Sequence, residues 1–155
     1  MANSDTRFIF TGDDGVLNIV CPADKTDLTL EQIKAKGCPS DRTVYTVDKS
    51  AIPTDNSFSD ARTYTDSGFG IDMAKAKEIH KTKIREARTS KLAELDVEFQ
   101  KAQETSADTS AIVTKKNALR DAPADSAIDA ATDEAGLKAQ WNTSILGTSP
   151  YSWIY

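Results

Sequence analysis

Two cysteines and one histidine are the only thiol and imidazole ligands in this chain of 155 residues, too few for a structural zinc site. No apolar run reaches the roughly 18–20 residues that cross a bilayer, and the first residues, MANSDTRFIF, lack the charged and apolar regions of a secretory signal. The net charge of −5 provides little of the basic surface that nucleic-acid phosphates require. We therefore expect a protein made in a cytoplasm, with no cofactor, metal, membrane contact or nucleic-acid ligand.

Large apolar side chains are also scarce. Apolar residues make up 39% of the chain and aromatic residues 7%, while 28% are charged. Because alanine supplies much of the apolar share, we expect a thin core and a protein that gains part of its stability from partners.

The two cysteines occur in matching settings, since Cys21 begins the tetrapeptide CPAD and Cys38 begins CPSD. Two interpretations are open: a pair of free, half-buried thiols, or one disulfide. A bridge closing this loop would contribute about 3 kcal/mol in the chain-entropy estimate. It would need an oxidising environment, such as that of an extracellular particle.

Residues 1–60 are predicted to form a small β-rich unit with one short helix. Runs of β-forming residues at 7–11 and 16–20 flank GDDG, which indicates a hairpin. A short helix through Leu30, Ile33 and Lys36 is expected, capped by Asp27 or Thr29 and stopped by Gly37, and a strand follows over 43–47. Residues 54–70 are rich in Ser, Thr, Asp and Gly, and we expect a polar surface loop there.

Residues 61–141 are predicted to form a helical hairpin with short C-terminal helices. There is no Gly or Pro from Ile71 to Ile112, and apolar residues recur at spacings of three and four from an N-cap at Asp72. The sequence TSADTS at 105–110 then indicates a turn, and a second helix follows until Pro123. Long helix, turn and shorter helix together predict an αα-hairpin.

An aspartate stands at every fourth position in RDAPADSAIDAATDEAGL: Asp121, Asp125, Asp129 and Asp133. On one helix these carboxylates would share a face, as a metal site or an acid–base pair requires. Pro123 disfavours a continuous helix, so we expect short elements instead, with Asp125 capping one helix and Thr132 the next.

His80 lies on the apolar stripe of the long helix, between Ala76 and Ile84. A lone histidine in such a position usually packs against other side chains. The alternative is a catalytic pair with Cys21 or Cys38, because such partners meet only in the folded chain.

Residues 142–155 are predicted to form an extended aromatic tail. Tyr151, Trp153 and Tyr155 alternate, so an extended strand would place the three rings on one face. Rings at this density are typical interface anchors, and the alternative is that they fold back onto the core of their own domain. The predicted interface residues belong to the tail and to the long helix: Tyr151, Trp153, Ile154, Tyr155, Trp141, Leu92, Leu95 and Phe99.

Three segments in order, "IPTDNSFSDARTY", "GIDMAKAKEIHKTKIREARTSKLAELDVEFQKA" and "KNALRDAPADSAIDAATDEAGLKAQW", resemble a group of small proteins encoded by tailed bacteriophages. The resemblance covers roughly residues 52–141. Each motif alone has little specificity, but the order of the motifs is specific. It implies a virion or tail-module protein with a structural or assembly role and no catalytic residues. Both cysteines and the aromatic tail depart from the family pattern.

We therefore expect an α+β protein that is a non-enzymatic structural component of a tailed-phage virion, in or near the tail or its fibres. Its expected partners are other virion proteins and copies of itself, with no small-molecule substrate. One alternative is a tail-fibre assembly chaperone that is not retained in the virion. A second is a small hydrolase or metal protein that uses His80.

Overall fold

The computed structural model describes residues 3–24 and 26–152 and has the predicted α+β class. The chain divides into two compact units, one ending at Asp72 and the other beginning at Met73. The division falls later than the predicted boundary after residue 60, because the chain makes one more β-hairpin before the long helix begins.

The first unit is built on an antiparallel sheet of three strands in the order β2-β1-β3. The strands are β1 (Thr6–Thr11), β2 (Leu17–Val20) and β3 (Tyr45–Asp48). Phe8 and Ile9 are adjacent in the central strand and point to opposite faces, yet both are almost fully buried. The predicted β1–β2 hairpin is confirmed, and Gly15 supplies the positive φ of its turn (73°).

The short helix α1 (Leu30–Gly37) lies between β2 and β3 and follows the second of the two predicted caps. The Thr29 hydroxyl accepts from the Gln32 amide, while the Gln32 side chain accepts from the Thr29 amide. This reciprocal capping box satisfies two amides that a helix start otherwise leaves without partners.

The segment predicted as a polar loop contains a second hairpin, of β4 (Arg62–Thr65) and β5 (Gly68–Ile71). Gly68 adopts a φ of 103°, which only glycine takes without strain. The buried Arg62 side chain organises the preceding loop by donating to the backbone carbonyls of Pro53 and Asp55. Residues 61–72 therefore belong to the β-rich unit.

The second unit is built on α2 (Met73–Glu104), a helix of 32 residues, and α3 (Ser110–Asp121). The predicted αα-hairpin is confirmed. The chain leaves α2 through Ser106, whose φ of 55° is left-handed, and the Ala107 amide donates back to the Ala102 carbonyl. This pattern closes a helix end in the manner usually provided by glycine.

Three short helices pack in the second unit: α4 (Ser126–Ala130), α5 (Glu134–Lys138) and α6 (Thr143–Leu146). A 3₁₀ turn over Ala122–Ala124 separates α3 from α4. The predicted extended tail is not extended in its described part, because 143–146 is helical and Ser152 donates back to the Ser149 carbonyl. The core of this unit contains Ile84, Ile128 and Leu137, each at most 1% exposed.

Replacing Ile84 by alanine should lower the free energy of unfolding by about 2–5 kcal/mol, because it removes buried methyl groups and leaves a cavity. The matched control is Val97→Ala on the same helix, where the side chain is 50% exposed and the change should stay within about 0.5 kcal/mol. Urea denaturation of both variants measures the difference. Equal losses would contradict the assigned packing face of α2.

Candidate functional site

The four aspartates of the predicted ladder lie on separate elements. Asp125 accepts from the Ala127 amide at 2.9 Å and caps α4, and Asp133 accepts from the Gly136 amide at 2.7 Å and caps α5. Asp121 is the last residue of α3. The expected cap at Thr132 is wrong by one residue, because the chain is still extended at Asp133, which provides the capping oxygen itself.

The fourth aspartate, Asp129, connects α4 to α2. Its carboxylate lies 2.9 Å from Lys81 Nζ, and its backbone carbonyl accepts from Lys77 Nζ at 2.6 Å. The hydrogen bond from Lys81 is the main cause that lowers the pKa of Asp129. Within the described residues, no group of three or more His, Cys, Asp or Glu side chains could hold a metal ion. The ladder therefore consists of two caps, a helix end and an ion pair.

His80 lies at the centre of a buried aromatic cluster. Its ring stacks on Tyr151 with an interplanar angle of 8°, and Trp141 presents its edge to both rings at centroid distances of 6.1 and 6.2 Å. The Tyr151 hydroxyl is 2.6 Å from His80 Nδ1. Among the described residues, His80 Nε2 has no hydrogen-bond partner. With the proton on Nε2, the Tyr151 hydroxyl donates to Nδ1.

The surroundings of His80 keep its imidazole neutral. Burial, together with the nearby Lys83 charge, lowers its pKa from 6.5 to about 4, against an opposing effect of the Gln140 backbone. Burial also raises the pKa of the Tyr151 hydroxyl. A neutral imidazole that is 0% exposed and hydrogen-bonded to a phenol is a packing arrangement. The structure thus supports the packed interpretation of His80.

The pKa shift of His80 predicts a specific pH dependence. The unfolded chain binds this proton more readily, so the contribution of His80 to stability is full above pH 6.5 and is lost as the pH falls towards 4. A shift of this size corresponds to about 3 kcal/mol. In the His80→Gln variant, the free energy of unfolding should no longer fall between pH 6.5 and 4 on account of residue 80. The pH dependence that comes from the carboxylates should remain in both proteins. If chemical denaturation gives the same pH dependence of the free energy of unfolding for the variant and the original chain, the lowered pKa of His80 is contradicted.

The predicted interface residues fall into two groups. Trp141 and Tyr151 are each 8% exposed and pack within the second unit, so they do not project as free anchors. The Trp141 indole also donates to the Gly147 carbonyl at 3.1 Å, which holds the segment after α6 in place. Trp153, Ile154 and Tyr155 lie outside the described residues.

The long-helix residues face the seam between α2 and α3. Leu95 is buried, while Leu92 and Phe99 are half-buried. Lys116 of α3 covers one side of this seam, because its ammonium lies 2.5 Å from Asp96 and 5.0 Å from the centre of the Phe99 ring. The predicted stripe is therefore used largely inside the hairpin.

Sequence periodicity missed two exposed apolar residues. Among the described residues, the large hydrophobic side chains left exposed are Val97 of α2, at 50%, and Val113 of α3, at 39%. Val97 follows the buried Leu95 by two positions, which places it on the opposite side of α2. The sequence signal for Val97 was an apolar residue that does not fall on the apolar stripe of α2.

Both cysteines are free, with Cys21 exposed and Cys38 half-buried. The structure therefore has the dithiol form rather than the predicted alternative of a disulfide. Burial raises the pKa of the Cys38 thiol, and the Lys34 charge opposes this in part. Both thiols belong to the first unit and His80 to the second, where the described contacts of its ring are with Tyr151 and Trp141.

The two thiols should differ in their reaction with a disulfide reagent such as dithionitrobenzoate. The thiolate is the reactive form, so the raised pKa and partial burial of Cys38 should make it the slower group at neutral pH. Cys21→Ser should remove the faster phase and Cys38→Ser the slower one. Two unreactive cysteines in protein that has never been reduced would contradict the dithiol form.

No helix among the described residues has the length and apolar character to cross a membrane. Comparisons with known protein families, curated proteins and solved structures gave no match.

Proposed function

We propose that this chain is a non-enzymatic structural component of a tailed-phage particle, in or near the tail or its fibres. It acts through contacts of the α2–α3 hairpin with other virion proteins or with copies of itself. The observation that carries the proposal is the exposure of Val97 and Val113. These two apolar side chains remain in solvent although the hairpin has only a small core.

The burial pattern of α2 supports this use of the hairpin. Its buried side chains, Ala76, His80, Ile84 and Leu95, form one narrow stripe on a helix about 50 Å long. The opposite face carries Val97 and is not covered within the second unit. Apolar side chains on an otherwise polar helix face are favourable centres for contacts with a partner helix.

The attribution to a phage particle rests on the resemblance of residues 52–141 to small tailed-phage proteins. Proteins of a particle hold their place by contacts with neighbours, and a long helix exposed on one side suits such contacts. In the alternative role of an assembly chaperone, the same face would bind a fibre protein only transiently. The hydrolase alternative is disfavoured, because the His80 ring is 0% exposed and hydrogen-bonded to Tyr151.

Mass spectrometry of purified particles from cells that make this chain tests the proposal. Peptides of this chain should be present at a fixed ratio to other virion proteins. Their absence from particles, with the chain present in the cell lysate, would overturn the structural role and favour the chaperone.

A variant identifies the face that binds. Val97→Asp should reduce incorporation into particles by about tenfold or more, because a charge would be buried at the contact. The matched control is Thr82→Asp, which places the same charge at another exposed position of α2. Circular dichroism verifies that both variants fold. Equal incorporation of the two variants would rule out the face around Val97.

A further inference from the structure

All three arginines of the second unit line one groove. Arg85 and Arg88 of α2 and Arg120 of α3 border a cavity of about 400 Å³, which is completed by Lys81, Glu78, Asp129 and the turn after α3. Four cationic and two anionic side chains therefore share a concave surface. Since the first unit has 12 acidic against 7 basic residues and the second unit has 12 of each, this groove is a local positive site in an acidic protein.

The two acids of the groove are both used by Lys81. The Lys81 ammonium lies 2.9 Å from the Asp129 carboxylate and 3.6 Å from that of Glu78. The hydrogen bond from Asp129 is the main cause that raises the pKa of Lys81. Lys81 offsets one of these two carboxylate charges, and with four cationic against two anionic side chains the groove keeps a net charge of +2.

The three guanidinium groups have no carboxylate partner within the described chain. Arg88 donates to the backbone carbonyl of Arg120 at 2.6 Å, and Arg120 donates to the Asn117 side-chain oxygen at 3.2 Å. The Arg85 guanidinium makes no hydrogen bond or ion pair with a described residue, although its backbone carbonyl accepts from the Thr89 hydroxyl. Guanidinium groups bind carboxylates with two parallel hydrogen bonds, so a groove of unneutralised arginines matches an acidic protein surface.

The first unit offers such a surface at the β1–β2 turn. Asp13 and Asp14 form the turn, and Asp41 lies beside them, with Arg42 between. Arg42 contacts Asp13 at 2.7 Å and Asp41 at 3.2 Å, so this cation pairs with two of the three carboxylates, and the Asp13 side chain is 94% exposed. A β-turn is also narrow enough to approach a concave surface.

We infer that the arginine groove of one copy binds the acidic β1–β2 turn of a second copy. The inference rests on the proposed structural role and specifies one of its partners as the chain itself. Nucleic acid is disfavoured as occupant, because Glu78 and Asp129 border the groove and the chain carries a net charge of −5. Because the groove and the turn are different surfaces, two copies that exchange both contacts give a closed two-fold dimer, and contacts made in one direction only give a ring or an open stack.

Sedimentation velocity of the full chain over a concentration series tests the inference. The weight-average molecular mass should increase with protein concentration at low salt. At high salt it should return towards the 16.8 kDa of the monomer, because salt screens charge contacts at a surface. The double variant Arg85→Glu/Arg120→Glu should weaken association by about tenfold or more. The matched control, Lys101→Glu/Lys115→Glu, makes the same change in net charge outside the groove and should retain association.

The acidic side of the contact has its own variant. Asp13→Asn/Asp14→Asn keeps the side-chain oxygens that accept from Arg42 and from the Val16 amide but removes both charges. It should also weaken association, and circular dichroism verifies the fold. A chain that stays monomeric at low salt, or associates equally in both groove and control variants, would overturn the inference.

A calorimetric titration with inorganic phosphate tests whether the groove is a site for small anions instead. Phosphate binding that depends on Arg85 and Arg120 in a chain that remains monomeric would define a small-anion site and overturn docking between copies. These measurements use the purified chain alone. Failure here is therefore distinguishable from failure of the proposed function, which is decided by the presence of the chain in particles.

Discussion

The second unit depends on the burial of one narrow stripe along α2. A helix of 32 residues is far longer than its own propensity stabilises in water, so packing must supply the difference. The stripe is covered by elements that lie later in the chain, namely α3, α5, α6 and the turn between α3 and α4. Each of these is short, and α4 to α6 have only five, five and four residues. Such helices persist because they are capped and because each places an apolar residue against its neighbours.

The aromatic cluster shows how a polar side chain can be accommodated in the buried stripe of α2. The imidazole of His80 is more polar than its neighbours Ala76 and Ile84, and in an apolar pocket it would be costly without a partner. The Tyr151 hydroxyl supplies one, while stacking and the edge of Trp141 fill the space around it. A hydrogen bond within the cluster also fixes which tyrosine rotamer and which backbone path are accepted. The end of the described chain is therefore positioned by chemistry as well as by apolar area.

Local signals predicted the elements whose causes are local. The absence of Gly and Pro predicted α2, and the caps at Thr29 and Asp125 predicted α1 and α4. The β4–β5 hairpin was not predicted, because its strands are polar and short and its pairing is defined by partners rather than by periodicity. The partner of His80 was equally inaccessible, since Tyr151 lies 71 positions away and only the fold brings the two rings together. The arginine groove joins Arg85 and Arg120 in the same way.

That separation of 71 positions also affects the order of events during synthesis. A chain is made from its N-terminus, so the stripe of Ala76, His80 and Ile84 leaves the ribosome well before Trp141 and Tyr151 exist to cover it. Until then the nascent helix exposes its most apolar face to water, which is the situation in which chains associate with one another or with chaperones. Trp141 and Tyr151, which are translated well after α2, are thus residues that complete the protection of its stripe.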